Sequence, residues 1–292
     1  MENYRASELL KGAVDIHVHT SPSLFPRSVD DFELAEHARK AGMKGFIIKA
    51  HEGSTVERAI TLSKQTGLAV GGCLVLNQFV GGFNPYAVEL ALKMGAKIIW
   101  MPTISARNHL QFHSGGNWKA QKSSYEIKVP DKGYSVLDDD GKILNEVKEI
   151  LALIAENGGA LGTGHLSVQE VISLVDEACK MGIKKLLVAH PELDLTKTPL
   201  SVQQDLAKKG AYLEKSMLPL MPAWKNSTPE ETAGSIRAVG AERCIIQTDF
   251  GQASHPSPVE GFRMFIEELL KCGITEEEIR IMAHRNPCVF LE

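Results

Sequence analysis

Two histidines alternate with apolar residues near the start of the chain, in the run Val14-Asp15-Ile16-His17-Val18-His19. A β-strand has a side-chain period of two, so His17 and His19 project from one face about 7 Å apart and can reach one cation. The polar residues that follow end the strand and place the pair at its carboxyl end. Such a pair either holds a metal ion or serves as polar groups of the core, and the pair alone does not separate these interpretations.

Side chains that can ligate a metal ion, called metal-competent below, recur where three later strands are predicted to end. These are His165 on the fifth strand, His190 on the sixth and Asp249 on the eighth. Period-two alternation gives each of them a face shared with earlier residues of its strand: Leu161 and Thr163 with His165, Leu186 and Val188 with His190, and Ile245 and Gln247 with Asp249. A closed barrel would bring all these strand ends together, which predicts a metal site.

The strands that must position these residues recur along the chain with helices between them. The eight predicted strands lie near residues 14–19, 45–50, 69–77, 96–103, 160–165, 185–190, 211–216 and 243–249. Helix starts are marked by a capping box at Ser54 with Glu57, another at Ser167 with Glu170, and Pro at position 229. Eight such units over roughly 240 residues match a (β/α)₈ barrel better than an open doubly wound sheet. We therefore expect one barrel domain over residues 1–292.

The regular pattern is interrupted by a polar, glycine-containing insertion after the fourth strand, at about residues 105–145. The runs Tyr125–Val129 and Tyr134–Leu137 flank a Pro-Asp-Lys-Gly turn and could pair as a small hairpin. Because the insertion follows a strand, we expect it at the carboxyl-end face, where such loops act as lids. A disordered surface excursion is the alternative.

Composition limits the kind of partner. The net charge of −4 with dispersed Lys and Arg gives no basic stripe for nucleic acid. Five cysteines without a C-x-x-C pair argue against a disulfide framework and a zinc knuckle, and predict buried thiols. The chain has neither an apolar leader at its start nor a membrane-length apolar stretch, so a cytoplasmic protein with a small-molecule substrate is expected. Whether the chain forms a homo-oligomer stays open.

The chain resembles the amidohydrolase superfamily of metal-dependent hydrolases over most of its length. The matching segments are Asp15-Ile-His-Val-His19, Gly164-His165, Ala189-His190-Pro191, Thr248-Asp249-Phe250 and the closing stretch from Glu278 to Pro287. The resemblance implies a metal held by His17, His19 and Asp249 with His165, His190 or both, and a bound water as nucleophile. Hydrolysis of a C–N or ester bond is the leading expectation. Since a divalent ion would lower the pKa of its bound water to about 7, Asp249 could take the proton as general base and return it as general acid. The imidazole-rich ligand set favours Zn²⁺.

The number of metal ions is left open by one departure from that superfamily. Two-metal members usually carry a bridging carboxylated Lys or a Glu at the end of the fourth strand, where this chain has Trp100-Met101-Pro102-Thr103. Lys49 and His51 end the second strand on one face with Ile47. Lys49 could bridge two ions after carboxylation, bind an anionic substrate group, or be a solvated structural residue.

Other residues are candidates for orienting a substrate at the same face. We expect this role for Lys49 and His51, and also for Glu214, Arg27 and Arg107, although each of the last three could be an ordinary ion-pair residue. His109, His113 and His255 have no fixed spacing to the main set, and His37 and His284 are expected to be structural.

Three further functions compete with a C–N or ester hydrolase. The same scaffold supports phosphoester cleavage and nonoxidative decarboxylation. A metal-free lyase in which Lys49 forms a Schiff base is a different class. A metal-binding protein without enzymatic activity is the last alternative.

Overall fold

Eight parallel strands form one sheet and follow each other in chain order. The computed structural model describes residues 2–114, 128 and 130–292. The strands are β1 Val14–Val18, β2 Gly45–Ile48, β3 Ala69–Val75, β4 Ile98–Trp100, β5 Ala160–Gly162, β6 Lys185–Val188, β7 Tyr212–Ser216 and β8 Cys244–Gln247.

The sheet closes where the last strand meets the first. Val18 pairs in parallel with Phe250, and the His19 amide donates to the Phe250 carbonyl at 2.8 Å. The Asp249 amide donates to the His17 carbonyl at 3.0 Å. The predicted (β/α)₈ barrel is therefore confirmed, and its closure lies directly at the metal-competent residues.

Helices separate the strands and cover the outside of the barrel. They are α1 Glu2–Leu10, α2 Asp31–Lys40, α3 Val56–Thr66, α4 Pro85–Lys93, α5 Arg107–Ser114, α6 Asn145–Glu156, α7 Val168–Lys180, α8 Leu200–Lys208, α9 Pro229–Val239, α10 Pro258–Lys271, α11 Glu276–Arg280 and α12 Asn286–Leu291. Among the described residues, none of these helices combines the length and the apolar character needed to cross a membrane.

Capping chemistry sets several helix starts. Ser167 and Glu170 form the predicted capping box of α7. The box predicted at Ser54 is wrong, because α3 begins at Val56 with Thr55 as its N-cap. The Thr55 hydroxyl donates instead to the Ile48 carbonyl at 2.7 Å, which ties the helix start to the end of β2.

The interior of the barrel is a packed apolar core below the metal-competent residues. Its buried members are Val14, Ile16, Ile47, Cys73, Val75, Ile98, Trp100, Ala160, Leu187, Ala189, Ile245 and Phe290. Phe290 comes from α12. Its ring packs edge-on against the ring of Tyr212, with the two centroids 5.5 Å apart. Burial of these side chains stabilises the strands that carry the site.

The insertion lies after β4 as predicted, and its described parts pack on the barrel. Ala106 pairs with Tyr134, and Leu137 pairs with Ile143. Val136 is fully buried, and its amide donates to Glu170 Oε1 at 3.2 Å. The first strand of the predicted hairpin, Tyr125–Val129, lies outside the described residues except for Lys128. Helix α5 was not anticipated from the sequence.

Candidate metal centre

A register shift in β1 presents both histidines of the His-x-His run to the site. Val14 and Ile16 point into the barrel core, whereas Val18 packs in the outer core, against the surrounding helices. The pairing of β1 with β2 shifts register between Asp15 and Val18. This irregularity lets His17 follow an inward-facing residue and still reach the barrel mouth.

Two other candidate ligands depend on unusual backbone conformations. His190 has φ 49° and Asp249 has φ 56°, the left-handed region that residues other than glycine rarely adopt. Such a conformation costs about 1–3 kcal/mol and persists where surrounding bonds hold it. The His190 carbonyl accepts from Thr196 Oγ1 at 2.7 Å, and the Asp249 carbonyl accepts from Gln252 Nε2 at 2.9 Å.

The predicted alternation is wrong for β5 and β6. Leu161, Leu186 and Val188 pack outward against helices, although they were expected to share a face with His165 or His190. The left-handed backbone at His190 changes the direction of the chain after β6, and that at Gly164, with φ +61°, changes it after β5. A Cβ atom at position 164 would come within 2.3 Å of the Met101 carbonyl oxygen, so this position requires glycine.

Three of the five candidate ligands converge. His17, His190 and Asp249 each bring one ligand atom within 4.8 Å of the others, and all three are buried. His19 joins them through its Nε2, which lies 3.1 Å from Asp249 Oδ1. His165 is not among the residues whose ligand atoms converge, and its ring lies 5.5 Å from the His190 ring, centroid to centroid.

The chemistry of this cluster suits a cation. Burial lowers the pKa of His17 and of His19 well below the ordinary value and lowers that of His190 to about 4. The imidazoles are therefore neutral at neutral pH, the form that ligates metals. His190 Nδ1 and Glu214 Oε2 are buried without a hydrogen-bond partner among the described residues, 3.8 Å apart. Unpaired buried polar atoms are costly. A cation bound at His190 Nδ1, which lies 3.6 Å from Asp249 Oδ2, would remove that cost for His190.

Glu214 lies behind His17 instead of facing a substrate. Its Oε1 is 3.1 Å from His17 Nδ1, and its side chain has no exposed surface. An acceptor at Nδ1 leaves the lone pair of Nε2 directed into the site. Burial raises the pKa of Glu214, and the Lys49 ammonium opposes this shift.

Lys49 reaches the same centre from β2. Its Nζ lies 3.0 Å from His17 Nε2 and 4.2 Å above the Trp100 ring centroid. Burial lowers the pKa of Lys49. Trp100 occupies the end of β4, the position of the bridging group in the two-metal enzymes that the sequence resembles. Its ring lies 5.2 Å from that of His17, centroid to centroid.

Asp15 and His109 support the site, although the sequence assigned neither of them a role. Buried Asp15 accepts from Thr248 Oγ1 at 2.6 Å and from the His17 amide at 3.1 Å, which joins β1 to the end of β8. Burial raises the pKa of Asp15 to about 7. His109 Nδ1 lies 2.9 Å from His165 Nδ1. The signal for Asp15 was an acidic residue within an apolar strand. The signal for His109 was its four-residue spacing from His113, which places both on one helix face.

A cleft opens above the cluster and encloses about 880 Å³, its mouth included. Lys49, His51 and Arg27, three of the residues predicted to bind substrate, line it. His51 is held by Thr103, whose Oγ1 lies 2.9 Å from His51 Nδ1. Arg107 and Glu214 are not among the described residues that line the cleft, so the structure does not place them where a substrate would bind.

Solved structures that share this fold include proteins described as an amidohydrolase, a lactonase and a phosphotriesterase homology protein. An amidohydrolase from Pseudomonas aeruginosa is 16% identical, with TM-score 0.66 over 100% of this chain and 98% of that one. A lactonase from Listeria monocytogenes is 13% identical, with TM-score 0.58 over 98% and 96%. A phosphotriesterase homology protein from Escherichia coli, with phosphate in its active site, is 15% identical, with TM-score 0.58 over 97% and 99%.

These likenesses show that the chain has the fold that its resemblance to the amidohydrolase superfamily implied. No curated protein matches the chain in sequence. Residues 12–214 match the family described as "Family of unknown function (DUF6282)", and this match covers more than half of the chain. The protein therefore belongs to the DUF6282 family.

Proposed function

We propose that the protein is a metal-dependent hydrolase that cleaves a C–N or ester bond of a small molecule. The observation that carries this proposal is the convergence of His17, His190 and Asp249 within 4.8 Å, beneath an open cleft at the carboxyl ends of the strands. That face carries the active site in (β/α)₈ enzymes.

The ligand set favours one zinc ion. His17, His190 and Asp249 would hold it, with His19 beside Asp249, and two or more imidazoles with a carboxylate suit Zn²⁺. Trp100 at the end of β4 argues against a second, bridged ion. When bound, a divalent ion of this kind lowers the pKa of water from 15.7 to about 7 and polarises a carbonyl group.

The side chains around the cluster transfer the proton and orient the substrate. Asp249 takes a proton from the attacking water, and the water oxygen bonds to the carbonyl carbon of the substrate. As the bond to the nitrogen or oxygen leaving group breaks, Asp249 returns the proton to that group, so one water is consumed and Asp249 is regenerated. Lys49 and His51 lie at the cleft floor, where they can donate to the substrate carbonyl or to a neighbouring polar group.

Two measurements test this proposal together. Protein purified without chelator should contain about one transition-metal ion per chain, and it should hydrolyse at least one member of a panel of amides, lactones and esters. Phosphoesters and carboxylic acids that can lose CO₂ belong in the panel, because the fold also supports those reactions. Stoichiometric metal with turnover only of a phosphoester or a decarboxylation substrate would replace the reaction class proposed here.

A metal-free lyase is the second candidate, and the environment of Lys49 favours it. Its amine is buried in the cleft, and burial lowers its pKa toward the neutral form that attacks a carbonyl. Borohydride would then trap a substrate on Lys49, and a chelator would not affect activity. The hydrolase predicts no trapping and a loss of activity with chelator that added metal reverses.

A reducing, cytoplasmic location is part of the proposal. All five cysteines are free thiols, which suits a compartment that keeps thiols reduced.

A further inference from the structure

The cleft above the candidate metal centre has a cation on one side and an apolar wall around it. The wall consists of Phe25, Ile104, Phe112, Leu193, Leu195, Leu218 and Trp224. The cation on that side is the Arg27 guanidinium, from the loop that follows β1 and also holds Phe25. The other basic side chain of the cleft, Lys49, lies at the metal centre itself, 3.0 Å from His17 Nε2. A bound molecule would meet both surfaces as well as the imidazole-rich floor.

The arginine is held by one end of its guanidinium. Its Nε donates to Ser23 Oγ at 3.2 Å, and the Ser23 hydroxyl donates to Glu52 Oε1 at 2.6 Å. The guanidinium carbon lies 5.6 Å from the Phe25 ring centroid, and the Arg27 backbone pairs with Gln252. These contacts fix the side chain before any ligand arrives, which lowers the entropic cost of binding.

The other end of the guanidinium is left for a ligand. Across the part of the chain that the structure describes, neither terminal nitrogen of Arg27 has a hydrogen bond, and no carboxylate lies within 4.0 Å of the group. Burial lowers the pKa of Arg27 to about 10, so the group remains charged at neutral pH. Paired terminal nitrogens match the two oxygens of a carboxylate.

The candidate metal centre opens into the same cleft as this cation. Arg27 lines the cleft together with His19 and Asp249. An anion on Arg27 would therefore share the cleft with a carbonyl placed at the centre. The apolar wall would take the side chain next to both groups.

We propose that the substrate is an organic carboxylate with an apolar or aromatic body, whose carboxylate binds Arg27 in the same cleft as the bond that is cleaved. This inference rests on the hydrolase function proposed above for the position of the cleaved bond. N-acylated amino acids with a large apolar side chain have this chemistry, and so do carboxylated lactones with an apolar substituent.

Binding to metal-free protein tests the two surfaces without requiring activity. The probes are N-acetyl-L-phenylalanine, its neutral amide N-acetyl-L-phenylalaninamide, and N-acetylglycine, measured by isothermal titration calorimetry. We expect the acid to bind at least tenfold more tightly than the amide and at least tenfold more tightly than N-acetylglycine. The first difference reports the Arg27 contact, and the second reports the apolar wall.

Substitutions assign each difference to its residue. Arg27→Gln should reduce the preference for the acid over the amide to about twofold, and Arg27→Lys should keep part of it. Trp224→Ala should weaken the binding of N-acetyl-L-phenylalanine but leave the binding of N-acetylglycine unchanged. Arg39→Gln removes a cation from the exposed face of α2 and should change none of these constants.

Several results would overturn the inference. These are equal binding of acid and amide, an acid preference that survives Arg27→Gln, and a failure of all three probes to bind. Hydrolysis of neutral substrates only, by the metal-loaded protein, would refute the inference and keep the proposed function. An Arg27-dependent preference for the acid, without hydrolysis of any panel member, would support the inference about the ligand and refute the proposed hydrolase function.

Discussion

Asp249 Oδ1 lies 3.2 Å from His17 Nε2. We nevertheless expect substitution of Asp249 to lower turnover and substitution of His17 to lower metal content. Asn at position 249 keeps the size and one oxygen but cannot accept a proton at neutral pH, so turnover should fall about a hundredfold or more with metal still bound. Asn at position 17 removes an imidazole from the centre, so metal content should fall and added metal should restore part of the activity. The measurement is metal content beside turnover for each variant.

Near-normal turnover of an Asp249→Asn protein that holds its metal would show that the proton-transfer role is misassigned. His51, on the cleft floor, would then be the next residue to test.

Glu214 should act on the metal through His17. Its Oε1 orients His17 Nδ1, and loss of such an outer partner typically costs 10–100-fold in metal affinity. We therefore expect Glu214→Gln to weaken zinc binding by about tenfold or more, measured by competition with a chromophoric chelator. Glu36→Gln, at an exposed pair on α2, is the matched control. A Glu214→Gln protein with wild-type zinc affinity would mean that Glu214 only fills space.

At the scale of elements, the insertion after β4 is part of the barrel's packing as well as a candidate lid. Fully buried Val136 lies in the outer core with residues of α6 and α7, so removal of the whole insertion would expose part of that core. Helix α5 adds Phe112 and His109 to the cleft wall. The lid role therefore remains a proposal for this segment, and deletion of the whole segment would not test it cleanly.

Val136→Ala should destabilise the fold by about 2 kcal/mol, because it removes buried methyl groups and leaves a cavity. The midpoint of urea unfolding measures this. Lys142→Ala, in the same segment with a side chain 75% exposed, should shift the midpoint by much less. Equal midpoints for the two variants would show that the segment detaches from the barrel without cost.

At the scale of the whole molecule, metal binding should stabilise the fold. An ion that binds only the native state adds about 2.7 kcal/mol at a free concentration 100 times its Kd. Removal of metal with a chelator should therefore lower Tm by several degrees, and added Zn²⁺ should restore it. Scanning calorimetry of the two forms, with Ca²⁺ as the control ion, makes the comparison. A Tm that is indifferent to zinc would count against the centre.

The five cysteines should separate into two classes. Cys73 and Cys244 are fully buried, and burial raises their pKa to about 11 and about 12. Cys179, Cys272 and Cys288 are only partly buried, so the prediction that all five are buried is wrong for these three. Titration with a chromogenic disulfide at pH 8 should detect up to three thiols in native protein and five after denaturation. Reaction of all five in the native state would show that the barrel opens readily.

Much of the architecture was predictable from local patterns. Helix caps, strand lengths and the repeated order of the two elements specify a (β/α)₈ barrel, because each depends on residues close together in the chain. The position of Lys49 and His51 on one face with Ile47 was also predictable, since β2 follows regular alternation up to its end. The placement of candidate ligands at strand ends followed from the same counting.

The arrangement within the site was decided by tertiary structure. Alternation could not anticipate the register shift in β1 or the left-handed backbone at His190, because both depend on how neighbouring strands and loops hold the chain. His17 and Glu214 lie 197 positions apart in the sequence, and only closure of the barrel makes them partners. The sequence by itself determined which residue types reach the barrel mouth. Their distances, their neutral charge states and the roles open to them arise from burial and long-range contacts that no local pattern records.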